Sequence, residues 1–189
     1  FIKDPALPHS IYEIEGADGC AIEMNSFSKF AGFTGIRCGW TVVPRALVTE
    51  DSAPGLTRQR WLTRISTHRN GVDVLAQEGA LSVLTEEGLS ENFGRVDHYM
   101  KSAAILKAGL DRKGFTVFGG ENAPYIWAPI PNGTSSWDFF DQLLREAHVV
   151  ATPGAGFGSH GEGYMRFSPF GHRQSIERGV QSIEDRLHI

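Results

Sequence analysis

The sequence is short of cysteine, of long apolar runs and of surplus charge. Cys20 and Cys38 are the only cysteines among 189 residues, in no metal-ligand or disulfide-framework spacing, which suits a reducing compartment. No apolar run reaches the roughly 18 residues a membrane-spanning helix needs. Lys and Arg number 18 against 22 Asp and Glu, a net charge of −4, which argues against a nucleic-acid footprint. The opening "FIKDPALPHSIYEIEG" reads neither as a signal peptide nor as a basic presequence. It looks like a continuation of a longer chain. Repeats and low-complexity segments are missing. His160 and His172 are too few and too badly spaced for zinc, so no metal is expected, and His68, His98 and His148 read as surface or satisfied core histidines. What is plentiful is glycine, 22 residues, clustered at 32–39 and 154–163.

The chain divides by pattern. "CAIEMNSF" alternates like a strand, and "CGWTVVP" reads as a second, stopped by Pro44. "LTRQRWLTRIS" and "GVDVLAQEGALSVL" are predicted helices. Ser90 to Lys113 reads as a long amphipathic helix with Phe93, Val96, Met100, Ala103 and Leu110 near one face, ended by Gly114 as a left-handed cap. "FTVFGG" and "YIWAPI" are strand candidates. "SSWDFFDQLLREA" opens on serine caps and places Trp137, Phe140, Leu144 and Ala147 on one stripe. "HVVATPGAGFG" and "GYMRFSPF" are strands around a glycine loop, and a last helix buries Ile176, Val180, Ile183 and Leu187. We expect residues 1–75 to be the end of an α/β domain and 76–189 a small α+β domain.

Two segments carry chemistry. "NSFSKFAGFTGIRCGW" holds Lys29 and Arg37 with no acidic residue in the run, so any partner comes from elsewhere in the chain or from a ligand. Ser26, Ser28, Arg37 and backbone N–H groups are donors that suit a phosphate. Lys29 is then available as an amine that attacks a carbonyl and forms a Schiff base, the division of labour pyridoxal phosphate requires. The run is not a Walker A loop. A glycine-rich turn with a solvated Lys and Arg fits the spacing equally well. In "GYMRFS", alternation turns Met165 and Phe167 to one face and Arg166 to the other. Arg166 there suits a fork-on-fork contact with a carboxylate, or is a surface arginine at a sheet edge. "GAGFG" is not a dinucleotide loop, because no helix follows it.

"SFSKFAGFTGIRCGW" resembles the S-x-[SAT]-K…R motif of class I aminotransferases, fold-type I enzymes that use pyridoxal 5'-phosphate. "SIYEIEG", "SFSKFAGFTG", "GWTVVP", "GGENAPYIW", "SSWDFF", "VVATPGAGFG", "GEGYMRFS" and "FGHR" are similar to the branch of that family acting on LL-diaminopimelate, over essentially the whole chain. The resemblance implies the end of the large cofactor-binding α/β domain plus the small C-terminal domain. It implies Lys29 as the Schiff-base lysine, Ser26, Ser28 and Arg37 as phosphate contacts, and Arg166 as the clamp on the substrate α-carboxylate. Asn70 would reach the neighbouring subunit's site in a homodimer. Cys38 stands where that family has an aliphatic residue, and "STHRNG" is more polar than its counterpart.

The implied reaction takes LL-diaminopimelate and 2-oxoglutarate to tetrahydrodipicolinate and glutamate, a step of lysine biosynthesis. Its implied location is the cytoplasm, or the plastid stroma in a plant or alga. The aspartate, tyrosine and asparagine that such enzymes place around the pyridine ring would lie in an upstream part of the same polypeptide, so this stretch alone is expected to be inactive. Transamination of aspartate or an aromatic amino acid, and a non-catalytic fragment, are the competing readings. Nucleic acid and membrane are not expected partners.

Overall fold

The computed structural model describes residues 1–189. By packing, the chain forms two compact units, Pro5–Arg95 and Phe1–Asp4 with Val96–Ile189.

In the first unit, β1 (Glu23–Ser26) runs into a single helical turn, α1 (Phe27–Phe30), and returns as β2 (Gly39–Val42). The two strands pair antiparallel, with Asn25 opposite Trp40 and Ser26 opposite Gly39. A side chain on Gly39 would press against the Asn25 carbonyl at 2.8 Å, so glycine is what lets the hairpin close beside Ser26. The Tyr12 hydroxyl accepts the Glu23 N–H at 3.1 Å and lies 3.1 Å from the Val42 carbonyl oxygen, bracing the open end of the pair. Two helices follow, α2 (Leu56–His68) and α3 (Val74–Val83). Asp73 caps α3, its carboxylate accepting the N–H groups of Leu75 and Ala76, the arrangement that satisfies donors a helix start leaves open. Phe27, Ala31 and Cys38 from the hairpin pack with Ala76, Ala80 and Val83 from α3 in one apolar cluster.

That cluster bears on the expected division after residue 75. α3 packs with the hairpin, and the division by packing falls between Arg95 and Val96, inside α4 (Glu86–Lys113). α4 also starts earlier than Ser90, because Glu86 and Glu87 supply an acidic first turn that suits the helix dipole. Its buried stripe is Asn92, Val96, Ala103, Leu106 and Leu110. Phe93, expected on that face, is 53% exposed and meets Phe30 edge-on.

The second unit is built on a four-stranded antiparallel sheet of order β3–β4–β6–β5, comprising β3 (Phe118–Gly119), β4 (Ile126–Pro129), β5 (Thr152–Pro153) and β6 (Tyr164–Phe167). α5 (Ser136–Ala147) and α6 (Arg173–Arg186) join the C-terminal half of α4 to cover one face. Ile126, Ala128, Met165 and Phe167 point into a core shared with Leu110, Phe139, Leu143, Val180 and Ile183. Each of these side chains larger than alanine contributes about 1.5–3 kcal/mol on burial.

Two expectations need correction here. The buried stripe of α5 is Ser136, Phe139, Leu143 and Ala147, whereas Trp137 is 60% exposed. The strand expected across 148–158 is only two residues long, because Pro153 lacks a ladder N–H and the chain then turns through Gly154–Phe157. No helix of the structure is long and apolar enough to cross a membrane.

Candidate active site

Ser26 ends β1 and caps α1, its Oγ accepting the Ser28 N–H at 3.4 Å. That cap places Lys29 in the turn, partly buried. The Lys29 Nζ donates to Thr34 Oγ1 at 3.3 Å, and the Thr34 hydroxyl donates to the Ser28 carbonyl at 3.0 Å. The Arg37 Nη1 donates to the Thr34 carbonyl oxygen at 2.5 Å. Thr34 therefore ties Ser28, Lys29 and Arg37 into one loop.

Arg37 itself holds a left-handed conformation, φ 66°, which a non-glycine residue keeps only where its surroundings impose it. Here the Phe33 carbonyl accepts the N–H groups of both Ile36 and Arg37. The same loop is anchored from α4, where the Arg95 Nη1 donates to the Ala31 carbonyl at 3.0 Å. A side chain at Gly32 (φ 73°) would overlap that guanidinium.

The donor set fits a phosphorylated, carbonyl-bearing cofactor. Ser26 and Arg37 are exposed, no carboxylate pairs with Arg37, and a primary amine stands in the same turn. Asn70 lies exposed in the link between α2 and α3, one residue before Gly71 at φ 94°. It is not drawn into the Thr34 cluster.

Arg166 belongs to the other unit. It sits on β6 opposite Trp127 of β4 and Thr152 of β5, and the alternation expected of "YMRF" holds, with Met165 and Phe167 buried behind it. Its guanidinium carbon lies 4.5 Å from the ring centre of Tyr125 and 4.5 Å from that of Phe157. Its Nε is buried with no hydrogen-bond partner. A buried charged donor without an acceptor is costly, and the residues around this one supply no acceptor.

Sequence reasoning missed Thr34, Tyr125 and Phe157. The hydroxyl in "GFTG", midway between the two cations, was the available sign of the first. The diagonal reach of residue 125 across a strand pair was the sign of the second.

The profile of the family "Aminotransferase class I and II" matches residues 4–183. The chain is 50% identical over 190 aligned positions to LL-diaminopimelate aminotransferase of Bacteroides fragilis (strain YCH46), covering 99% of this chain and 46% of that protein. The structure resembles L,L-diaminopimelate aminotransferase from Chlamydomonas reinhardtii with a TM-score of 0.90 at 44% identity, over 98% of this chain and 45% of the other. It also resembles an aromatic aminotransferase from Pyrococcus horikoshii OT3 with a TM-score of 0.79 at 25% identity, over 97% and 47%. The chain thus spans about half the length of the relatives it matches. With nearly all of its residues accounted for by one family, and with that family's fold, the chain belongs to the class I and II aminotransferases.

Proposed function

We propose that this chain is the C-terminal part of a pyridoxal-phosphate enzyme that transaminates LL-diaminopimelate with 2-oxoglutarate, giving tetrahydrodipicolinate and glutamate. The observation that carries the proposal is the Thr34-centred loop. It holds an amine and a carboxylate-free guanidinium in a chain half identical to a diaminopimelate aminotransferase.

Ser26, Ser28 and Arg37 would hold the cofactor phosphate, with Arg37 giving the charge-assisted contacts. When bound, the cofactor supplies an electron sink for the pair left behind at the substrate α-carbon. Lys29 Nζ takes the proton from that carbon and returns one on the other side of the transfer, acting first as base and then as acid. The hydroxyl of Thr34 gives Nζ a fixed resting partner between those steps. Arg166 binds the α-carboxylate and so orients the C–H bond to be broken.

A homodimer is part of the same reading. α2 buries no residue of its own, Leu62 and Ile65 on it are 49% and 40% exposed, and Asn70 follows it at the surface. A cytoplasmic location, or the stroma of a plastid, accords with the two free cysteines.

Turnover of the full-length protein with LL-diaminopimelate and 2-oxoglutarate tests the proposal, with aspartate and phenylalanine as competing donors. The likeness to the Pyrococcus aromatic aminotransferase makes an aromatic donor the second reading. Faster turnover of phenylalanine than of LL-diaminopimelate would establish that reading instead.

A further inference from the structure

The Arg166 Nε has no hydrogen-bond partner, yet the guanidinium is held in one place. What holds it is aromatic. Tyr125 reaches it diagonally across the β4–β6 pair, since Arg166 is opposite Trp127 and Tyr125 is two residues along the same face. Phe157 reaches it from the turn after β5. Both ring centres lie 4.5 Å from the guanidinium carbon, well inside the range in which a ring face attracts a cation.

Neither ring is loose. Tyr125 is backed edge-on by Phe170, which is backed in turn by Tyr99. Phe157 is backed by Trp127, which stacks on Tyr164. The Phe157 turn is fixed from behind by the close approach of Gly154 and Gly161, where a side chain on either glycine would overlap the other's carbonyl oxygen. Phe157 remains 50% exposed, so packing of its own surface does not account for its place.

We propose that Tyr125 and Phe157 are positioning residues that clamp the Arg166 guanidinium in the orientation in which its outer Nη–H donors meet a substrate carboxylate. The inference rests on the reading of Arg166 as the carboxylate contact. The rings hold the arginine plane by attraction to its charge while leaving its donors unspent. A hydrogen-bonding neighbour would hold it equally well but would compete with the incoming carboxylate. Pre-setting the fork lowers the rotamer entropy lost on binding.

The test uses the full-length protein with Tyr125→Leu, Phe157→Leu, Tyr125→Phe and Phe157→Tyr. Two quantities are read: steady-state kinetics, and the rate at which phenylglyoxal modifies Arg166 in cofactor-free protein, mapped by mass spectrometry. The leucine variants are expected to raise KM for both amino and oxo acids about fivefold or more, with kcat within about twofold. They should also speed modification of Arg166 several-fold. The two conservative variants should stay near wild type in both measurements. Cofactor retention should not change, since its proposed contacts lie elsewhere in the sequence.

Wild-type KM and wild-type modification rates in both leucine variants would overturn the clamp. Loss in Tyr125→Phe equal to that in Tyr125→Leu would also overturn it, by assigning the effect to the hydroxyl. If Tyr125→Leu does not fold, Phe157→Leu carries the test, because that ring is half exposed. Arg166→Lys separates the two ideas. An unchanged KM there would defeat the carboxylate reading, while the modification rates would still report on the rings.

Discussion

Ser136 and Glu162, 26 residues apart, are joined twice: the Glu162 carboxylate accepts the Ser136 N–H at 2.7 Å and the Ser136 hydroxyl at 2.9 Å. The serine is completely buried at the start of α5, and the glutamate lies two residues before β6. These hydrogen bonds, the backbone one foremost, hold the Glu162 carboxyl below its ordinary range. A carboxylate depressed on folding adds stability that is present above its unfolded pKa, about 4.3, and is lost as pH falls through the folded value. Glu162→Gln should therefore lower the unfolding temperature at pH 7. The gap to wild type should close in the acid range, below about pH 4. A gap that stays constant from pH 7 to pH 3 would show that the charge on Glu162 does not matter.

Lys29→Ala in the full-length protein should leave the fold intact by circular dichroism and lower kcat by at least about 10²–10⁴-fold, the usual contribution of a positioned proton carrier. Borohydride treatment of the wild type followed by peptide mapping should place the pyridoxyl label on Lys29. A label on Lys3, Lys101, Lys107 or Lys113 would remove Lys29 from the chemistry.

Arg37→Ala should speed loss of the cofactor while changing substrate KM little, and Arg166→Ala should do the reverse. Losing a charge-assisted pair of this kind costs about 2–5 kcal/mol. The measurement is the cofactor dissociation rate beside KM for both substrates. Equal effects of the two substitutions on cofactor release would merge the roles assigned to them.

Gly109→Ala should destabilise the second unit by about 1–3 kcal/mol through overpacking, because the added methyl would overlap Val180 on α6. Denaturant midpoints measure this. The double variant Gly109→Ala, Val180→Ala should recover part of the loss, and no recovery would place the clash elsewhere.

How far the sequence foretold this structure depends on what each residue leans on. Arg166 was assigned to the correct face because strand alternation is local, and Met165 and Phe167 are apolar on either side of it. The α5 stripe was read one position off because two apolar rows run along that helix. Trp137 and Phe140 meet edge-on on the outer side, while the Glu162 contact turns Ser136, and with it Phe139 and Leu143, inward. That contact joins residues distant in sequence, and periodicity carries no trace of it. Lys29 and Arg37 were visible as cations without carboxylates, but Thr34 was not, since its role arises only when the loop folds back on itself. The packing of α3 on Phe27 and Cys38 was hidden for the same reason, because it is tertiary.

The unit formed by Val96–Ile189 also takes in Phe1–Asp4. The backbone N–H groups of Lys3 and Asp4 both donate to the Asn122 side-chain oxygen, and the Lys3 ammonium meets Asp97 at 2.7 Å. During synthesis Lys3 must wait for a partner 119 positions later, while the hairpin and α3 within Pro5–Arg95 pack over a shorter stretch of chain. The order in which the chain leaves the ribosome is therefore not the order in which its pieces can settle. Phe1–Asp4 are made before the whole of Pro5–Arg95, yet they settle only once Asn122 has followed it.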